Sequence, residues 1–311
     1  MDTLTTLENS LVYLVVLAGG YTLKRLRVLK KEDAGFLSAL IMNVTLPAAI
    51  LKGAANASFN SSFVIIFLSA MLLNVLLLSA GFFFSKGRPG PERGLMILNV
   101  NTFNNGNFAI PFLSALVSSD AFAAMGMYDG GSALFTFGPN IALAQKAMEQ
   151  GGKKVTLGDI FRKLFTTPSI WAYILMVLFS IVHWQPPALV MDVISMAGSA
   201  NAFLAMLCVG ILFEVQLPKS GYGLILTTLV TRYVICGLFA AGLWFFLPAP
   251  PETVRTLVVM TMAPVASCAT MITIEAGCDG TMAAVINSIS IVVSIIIMVL
   301  LLLLLPMPVR G

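Results

Sequence analysis

Residues 101–112 read NTFNNGNFAIPF. Four amides, Asn101, Asn104, Asn105 and Asn107, fall within this stretch, with Gly106 among them and Pro111 just downstream. The flanking segments, LMILNV and LSALV, are almost wholly apolar. Asparagine side chains carry both donors and an acceptor, so a cluster of them can hold a polar guest or pair with exposed backbone. Gly106 and Pro111 are expected to weaken a helix here. Pro111 has no N–H for the carbonyl four residues back, and its ring crowds that carbonyl. In hydrocarbon a freed backbone group left unpaired is strongly unfavourable, so such a break persists only inside protein or beside a wet cavity. Asn104, Asn105 and Asn107 are the polar partners such a cavity would contain.

A second stretch matches it. VVMTMAPVASCATMITIEAG has Pro264 near its middle, followed by the small residues Ala266, Ser267, Ala269 and Thr270. Small side chains let helices approach closely. Two proline-broken helices in corresponding halves of a chain point to a transport site near the bilayer midplane. The half-helix N-termini would present free N–H groups and positive dipole ends, which suit an anion.

The elements that must position these breaks follow from composition. Of 311 residues, 58% are hydrophobic and 10% charged, and mean hydropathy is +0.94. A soluble chain carries about a quarter charged residues, so this reads as an all-α integral membrane protein. Ten apolar stretches are long enough to cross a bilayer: roughly 7–26, 34–53, 62–85, 93–117, 121–145, 168–184, 188–213, 221–247, 253–275 and 281–305. The polar connection 146–167 divides them five and five, and its latter half reads as a short amphipathic helix on the cytoplasmic surface. The expected organisation is therefore a first repeat over 1–145, the linker, and a second repeat over 168–311. Five spans per half is odd, so the halves must be inverted. The fourth span opens RGLMILNV and the ninth RTLVVMTM, a matching start. The acidic N-terminus, MDTLTTLENS, lacks the basic region of a secretory signal and is expected to remain as a membrane helix. With both termini outside, fourteen basic residues face inward and three outward, and Arg232 lies within a span. The expected location is the plasma (inner) membrane, and the net charge of +4 is read as lipid-facing loops, with no nucleic-acid partner.

Other residues carry less. Cys208, Cys236, Cys268 and Cys278 form no C-x-x-C pair, and His183 is the one histidine. No metal site is expected, and no cofactor beyond Na+ or H+ as a coupling ion. Asp129, in YDGGSALF, either carries a proton or holds a cation, or is wetted near the outer surface. Arg232 neutralises substrate, pairs with a carboxylate, or snorkels. Asn43 and Asn201, in corresponding second and seventh spans, are candidates for the scaffold side of a cavity; Asn74 reads equally as packing. Glu275 and Asp279 read as a solvated loop.

Taken in order along the chain, NNGNFAIPFL, MAPVASCATMITIEAGCDG, FRKLFTTPSIWA and VTLPAAIL resemble the auxin efflux carrier family. Its plant pattern at the first crossover is close to N-T-L-V-M-G-I-P-L-L. The resemblance puts Asn104 at the family asparagine, Pro111 and Pro264 at the two crossover prolines, and Pro47 in the second span. It implies two inverted five-helix repeats, a scaffold part and a moving part, a homodimer, and carriage of an organic anion. The chain lacks the long hydrophilic loop of many plant members. Thr167 and Ser169 stand where the family has the asparagines of N-P-N, and Ala109 replaces the glycine of G-I-P. A compact bacterial-type carrier of a small mono- or dicarboxylate, such as malonate or malate, fits better than a hormone carrier.

The expected function is secondary transport by alternating access. Substrate-binding candidates are Asn104, Asn105, Asn107, Pro111, Pro264, Ser267, Asn43 and Asn201; coupling-ion candidates are Asp129 and Thr270. The alternative is an anion channel or membrane sensor. No G-x-x-x-x-G-K, H-E-x-x-H or G-x-S-x-G occurs, which argues against ATP hydrolysis and against an intramembrane enzyme.

Overall fold

The computed structural model describes residues 3–53, 62–136, 138–148, 158, 162, 165–182, 184, 186–213 and 221–305. His183 and most of the linker, with its expected amphipathic helix, lie outside the described residues. Within them the chain is helical throughout, without strands. Among the described residues, five helices are long and apolar enough to cross a membrane: Asp33–Gly53, Ser62–Phe84, Ala188–Leu212, Tyr222–Phe246 and Gly280–Leu304.

The first half comprises α1 (Thr3–Arg25), α2 (Asp33–Leu40), α3 (Leu46–Gly53), α4 (Ser62–Phe84), α5 (Gly90–Val100), α6 (Ile110–Leu113), α7 (Ser119–Thr136) and α8 (Pro139–Ala147). The second comprises α9 (Pro168–Val182), α10 (Ala188–Ser199), α11 (Asn201–Leu212), α12 (Tyr222–Phe246), α13 (Pro251–Met260), α14 (Cys268–Glu275) and α15 (Gly280–Leu304). These bounds track the apolar stretches closely, with two corrections. The stretch 121–145 is not one helix: Pro139 opens α8 at its first turn after a sharply bent Gly138, because proline tolerates a helix start and disrupts its interior.

The second correction concerns the fourth apolar stretch. The break falls at Asn101–Asn104, ahead of Gly106 and Pro111. Pro111 belongs to the second half-helix, where a π-helical turn at Asn105–Ala109 precedes it. The wider turn makes room for the proline ring against the carbonyl of Asn107, four residues back. The second apolar stretch repeats this device. A π-helical turn at Ile41–Thr45 precedes Pro47, and Asn43 stands four residues before that proline as Asn107 stands before Pro111. The two π-helical turns touch each other.

Contacts sort the helices into two groups. In one, α1 lies along α11, while α3 packs on α9 and α10. In the other, α4, α5, α7, α8, α12 and α13 interlock, with α15 against α12, α13 and α14. The α1–α11 crossing is a backbone contact at two glycines. A Cβ on Gly20 would strike the carbonyl of Leu207, and one on Gly210 would strike that of Leu17. Large apolar side chains point outward along many helices, including Val15 at 69% exposure, Met196 at 79% and Phe246 at 82%. Surfaces of this kind are covered by hydrocarbon in a polytopic membrane protein. Asp279 is exposed and caps α15, accepting from Thr281 N at 2.8 Å and Met282 N at 3.1 Å, so it is a helix cap as well as a loop residue.

Candidate functional site

The two unwound segments, Asn101–Asn104 and Thr261–Ser267, meet inside the protein. Asn104 N donates to the carbonyl of Pro264 at 2.9 Å, directly joining the breaks. Asn104 Nδ2 reaches Ser267 Oγ at 3.5 Å. A break buried this deeply needs partners for its backbone, and they come from α12 and α15. Asn287 Nδ2 donates to Val265 O at 2.6 Å, and Ser290 Oγ accepts from Val265 N at 2.9 Å. Tyr128 on α7 shares a 2.9 Å hydrogen bond with Thr261 Oγ1.

Arg232 takes up three carbonyls. Fully buried on α12, it donates from Nη1 to Val100 O at 2.7 Å, and from Nη2 to Ala263 O at 2.9 Å and Pro264 O at 3.3 Å. The ring of Phe103 lies 4.2 Å from its guanidinium carbon, a cation–π contact. Of the readings of this residue, the snorkel is excluded. The side chain holds the last carbonyl of α5 and two carbonyls of the second break at once.

Beside these bonds, several side chains of the first break remain without partners. Both polar atoms of Asn101, Oγ1 of Thr102 and Oδ1 of Asn107 are buried and form no hydrogen bond. Such groups cost free energy in a closed core, so their concentration beside the crossing marks a place built for polar contact. The Asn105 amide faces Asp129, and the carboxylate accepts from Tyr173 Oη at 2.9 Å. Tyr173 lies on α9 and Asp129 on α7, so this bond joins the two helix groups. Gly126 makes room for the tyrosine: a Cβ there would lie 2.7 Å from its ring. Gly106 likewise faces Leu46, which a Cβ would meet at 2.9 Å.

The structure thus brings Asn104, Asn105, Pro264 and Ser267 together at the crossing. Asn107 sits just beyond, its Nδ2 3.4 Å from Ser38 Oγ. Pro111 and Thr270 lie within the half-helices that follow the two breaks, α6 and α14. Asn43 is elsewhere, exposed and bonded to Ala39 O at 2.7 Å. Asn201 is buried and accepts from Thr45 Oγ1 at 3.0 Å, which ties α11 to the second span. Asn74 binds Ala70 O and Ser132 Oγ, a packing role. Sequence reasoning passed over Thr102, Tyr128, Tyr173, Asn287 and Ser290. The run INSIS at 286–290, polar within an otherwise apolar stretch, was the available signal for the last two.

A polytopic helical protein with two unwound segments crossing in its interior is a membrane transport protein in architecture. The chain matches the membrane transport protein family over residues 8–137 and 145–302 and belongs to it; this is the family of the auxin efflux carriers. An uncharacterized transporter of Methanothermobacter thermautotrophicus is 25% identical over 276 residues, spanning 86% of this chain and 88% of that one.

Proposed function

We propose that this protein is a secondary carrier of a small organic anion, a mono- or dicarboxylate of the malonate or malate type, working by alternating access. In this reading ten spans form two inverted five-helix repeats, divided at 146–167, in the plasma membrane with both termini outside. The group around α1, α3, α9, α10 and α11 is the scaffold and the seat of a homodimer. The group around the crossing carries the substrate. The observation that carries the reading is the set of buried, unpartnered amides on the first break, beside a fully buried guanidinium. Amide N–H groups and a nearby fixed positive charge favour a carboxylate. Asn104, Asn105, Asn107 and Ser267 contact it, while Pro264 keeps the second break unwound and Pro111, in the half-helix after the first, is a further candidate lining residue. Asn43 and Asn201 act in the scaffold. Thr270, on the half-helix after the second break, is a candidate for contacting a coupling ion. Asp129, hydrogen-bonded across the border between the two groups, is the carboxylate suited to carrying a proton as that border shifts.

The test is a thermal-shift screen of the purified protein against carboxylates at two pH values, followed by uptake into proteoliposomes. A ligand raises Tm in step with its concentration over Kd. Stabilisation by small carboxylates with matching uptake is expected. Response only to cations or neutral solutes would remove the anion-carrier assignment in favour of a channel or sensor.

A further inference from the structure

The guanidinium of Arg232 occupies a peculiar place. It is buried at 0% exposure, and among the described residues no carboxylate pairs with it. Its hydrogen-bond partners are three main-chain carbonyls, from Val100 at the C-terminal end of α5 and from Ala263 and Pro264 in the second break. Carbonyls of unwound backbone and C-terminal half-helix ends are the groups that coordinate the cation in sodium-coupled carriers. Here the same type of oxygen cluster is filled by a side chain of the protein. An arginine stays protonated at any physiological pH, so this positive charge is permanent, and it is tethered to α12.

We infer that Arg232 is a built-in substitute for a coupling cation, and that the crossing assembles and receives its anion without sodium. The inference rests on the carrier reading for the identity of the anion, but its structural half does not. A free Na+ would have to bind before the carbonyls of Val100, Ala263 and Pro264 could converge; the guanidinium holds them together in its absence. Arg232 is thus a positioning residue that supplies charge to the site through the crossing. Its fork shape matters, because two nitrogens reach two different segments; an ammonium would act as a single point.

The experiment compares wild type, Arg232→Ala and Arg232→Lys in detergent. Thermal unfolding is followed in sodium chloride, in choline chloride, and in choline chloride with millimolar guanidinium added. No substrate is present. Wild type should unfold at the same temperature in sodium and choline. Arg232→Ala should unfold earlier and regain Tm saturably as guanidinium or sodium occupies the vacated carbonyls, following the logarithmic dependence on ligand over Kd. Arg232→Lys should fall between and respond to neither cation. A purely structural arginine would leave the alanine variant destabilised yet indifferent to both cations, and that result overturns the inference. So does a saturable sodium stabilisation of wild type, a measurement that holds even where the alanine variant fails to fold. The same preparations are then titrated with malonate in choline. Loss of malonate binding in all of them, with the cation responses intact, would refute the anion assignment and leave Arg232 as a tethered cation.

Discussion

Replacing Asn104 with alanine separates binding from folding. The main-chain bonds of this residue, from its N–H to Pro264 O and from Ala109 N to its own carbonyl, survive the substitution. What is lost is a side chain whose contact with Ser267 Oγ is 3.5 Å long, at the outer limit of a hydrogen bond. The stability change should therefore stay below about 1 kcal/mol, the value of an ordinary neutral hydrogen bond. A donor to a bound carboxylate is worth more, about 1.5–3 kcal/mol. At about 1.4 kcal/mol per decade, affinity should weaken roughly 10- to 150-fold. Titration calorimetry with the best carboxylate gives Kd, a thermal melt gives stability, and proteoliposome uptake should fall in parallel with affinity. Asn74→Ala is the control, since its amide is buried with two partners, Ala70 O and Ser132 Oγ, that are not part of the crossing. It should lower Tm and leave Kd alone. Wild-type affinity in Asn104→Ala would remove this side chain from the site. A Tm drop as large as that of Asn74→Ala would show that folding, rather than recognition, had been perturbed.

Further outcomes follow from particular contacts. Gly210→Ala drives a Cβ into the backbone of Leu17 and Tyr21, which cannot rotate away, and should cost about 1–3 kcal/mol as overpacking, read as a lowered Tm. Gly19→Ala, with nothing within 4 Å of its added Cβ, should melt like wild type. Asn287→Ala strips the 2.6 Å donor from Val265 O and should cost about 1–3 kcal/mol for the unpaired buried carbonyl, again measured by melting. Asp129→Asn should abolish the response of uptake to an imposed pH gradient while carboxylate Kd changes by less than a few-fold. An unaltered pH-gradient response would exclude Asp129 as the proton carrier.

Composition, run length and proline placement are local properties, and they determined much. Hydrocarbon demands about twenty apolar residues per crossing, so the helices α1, α4, α9, α12 and α15 were legible within a few residues. Pro264 marked the second break because it stands in the unwound segment itself. Pro111 marked the first only approximately. A π-helical turn absorbs its ring, and unwinding moves to Asn101–Asn104, where the main chain finds partners in the other half of the protein.

Those partners are what only the tertiary structure decided. Arg232 finds Val100 across 132 positions, and Asn104 finds Ser267 across 163. Tyr173 finds Asp129 across 44. No periodicity encodes such meetings, because each depends on how two helix groups pack. The sequence alone settled that the chain lives in a bilayer and breaks twice. Which carbonyls the buried cation holds, and which amides are left open beside it, was settled by the crossing of the two breaks, where backbone denied water must take whatever donor the fold brings near.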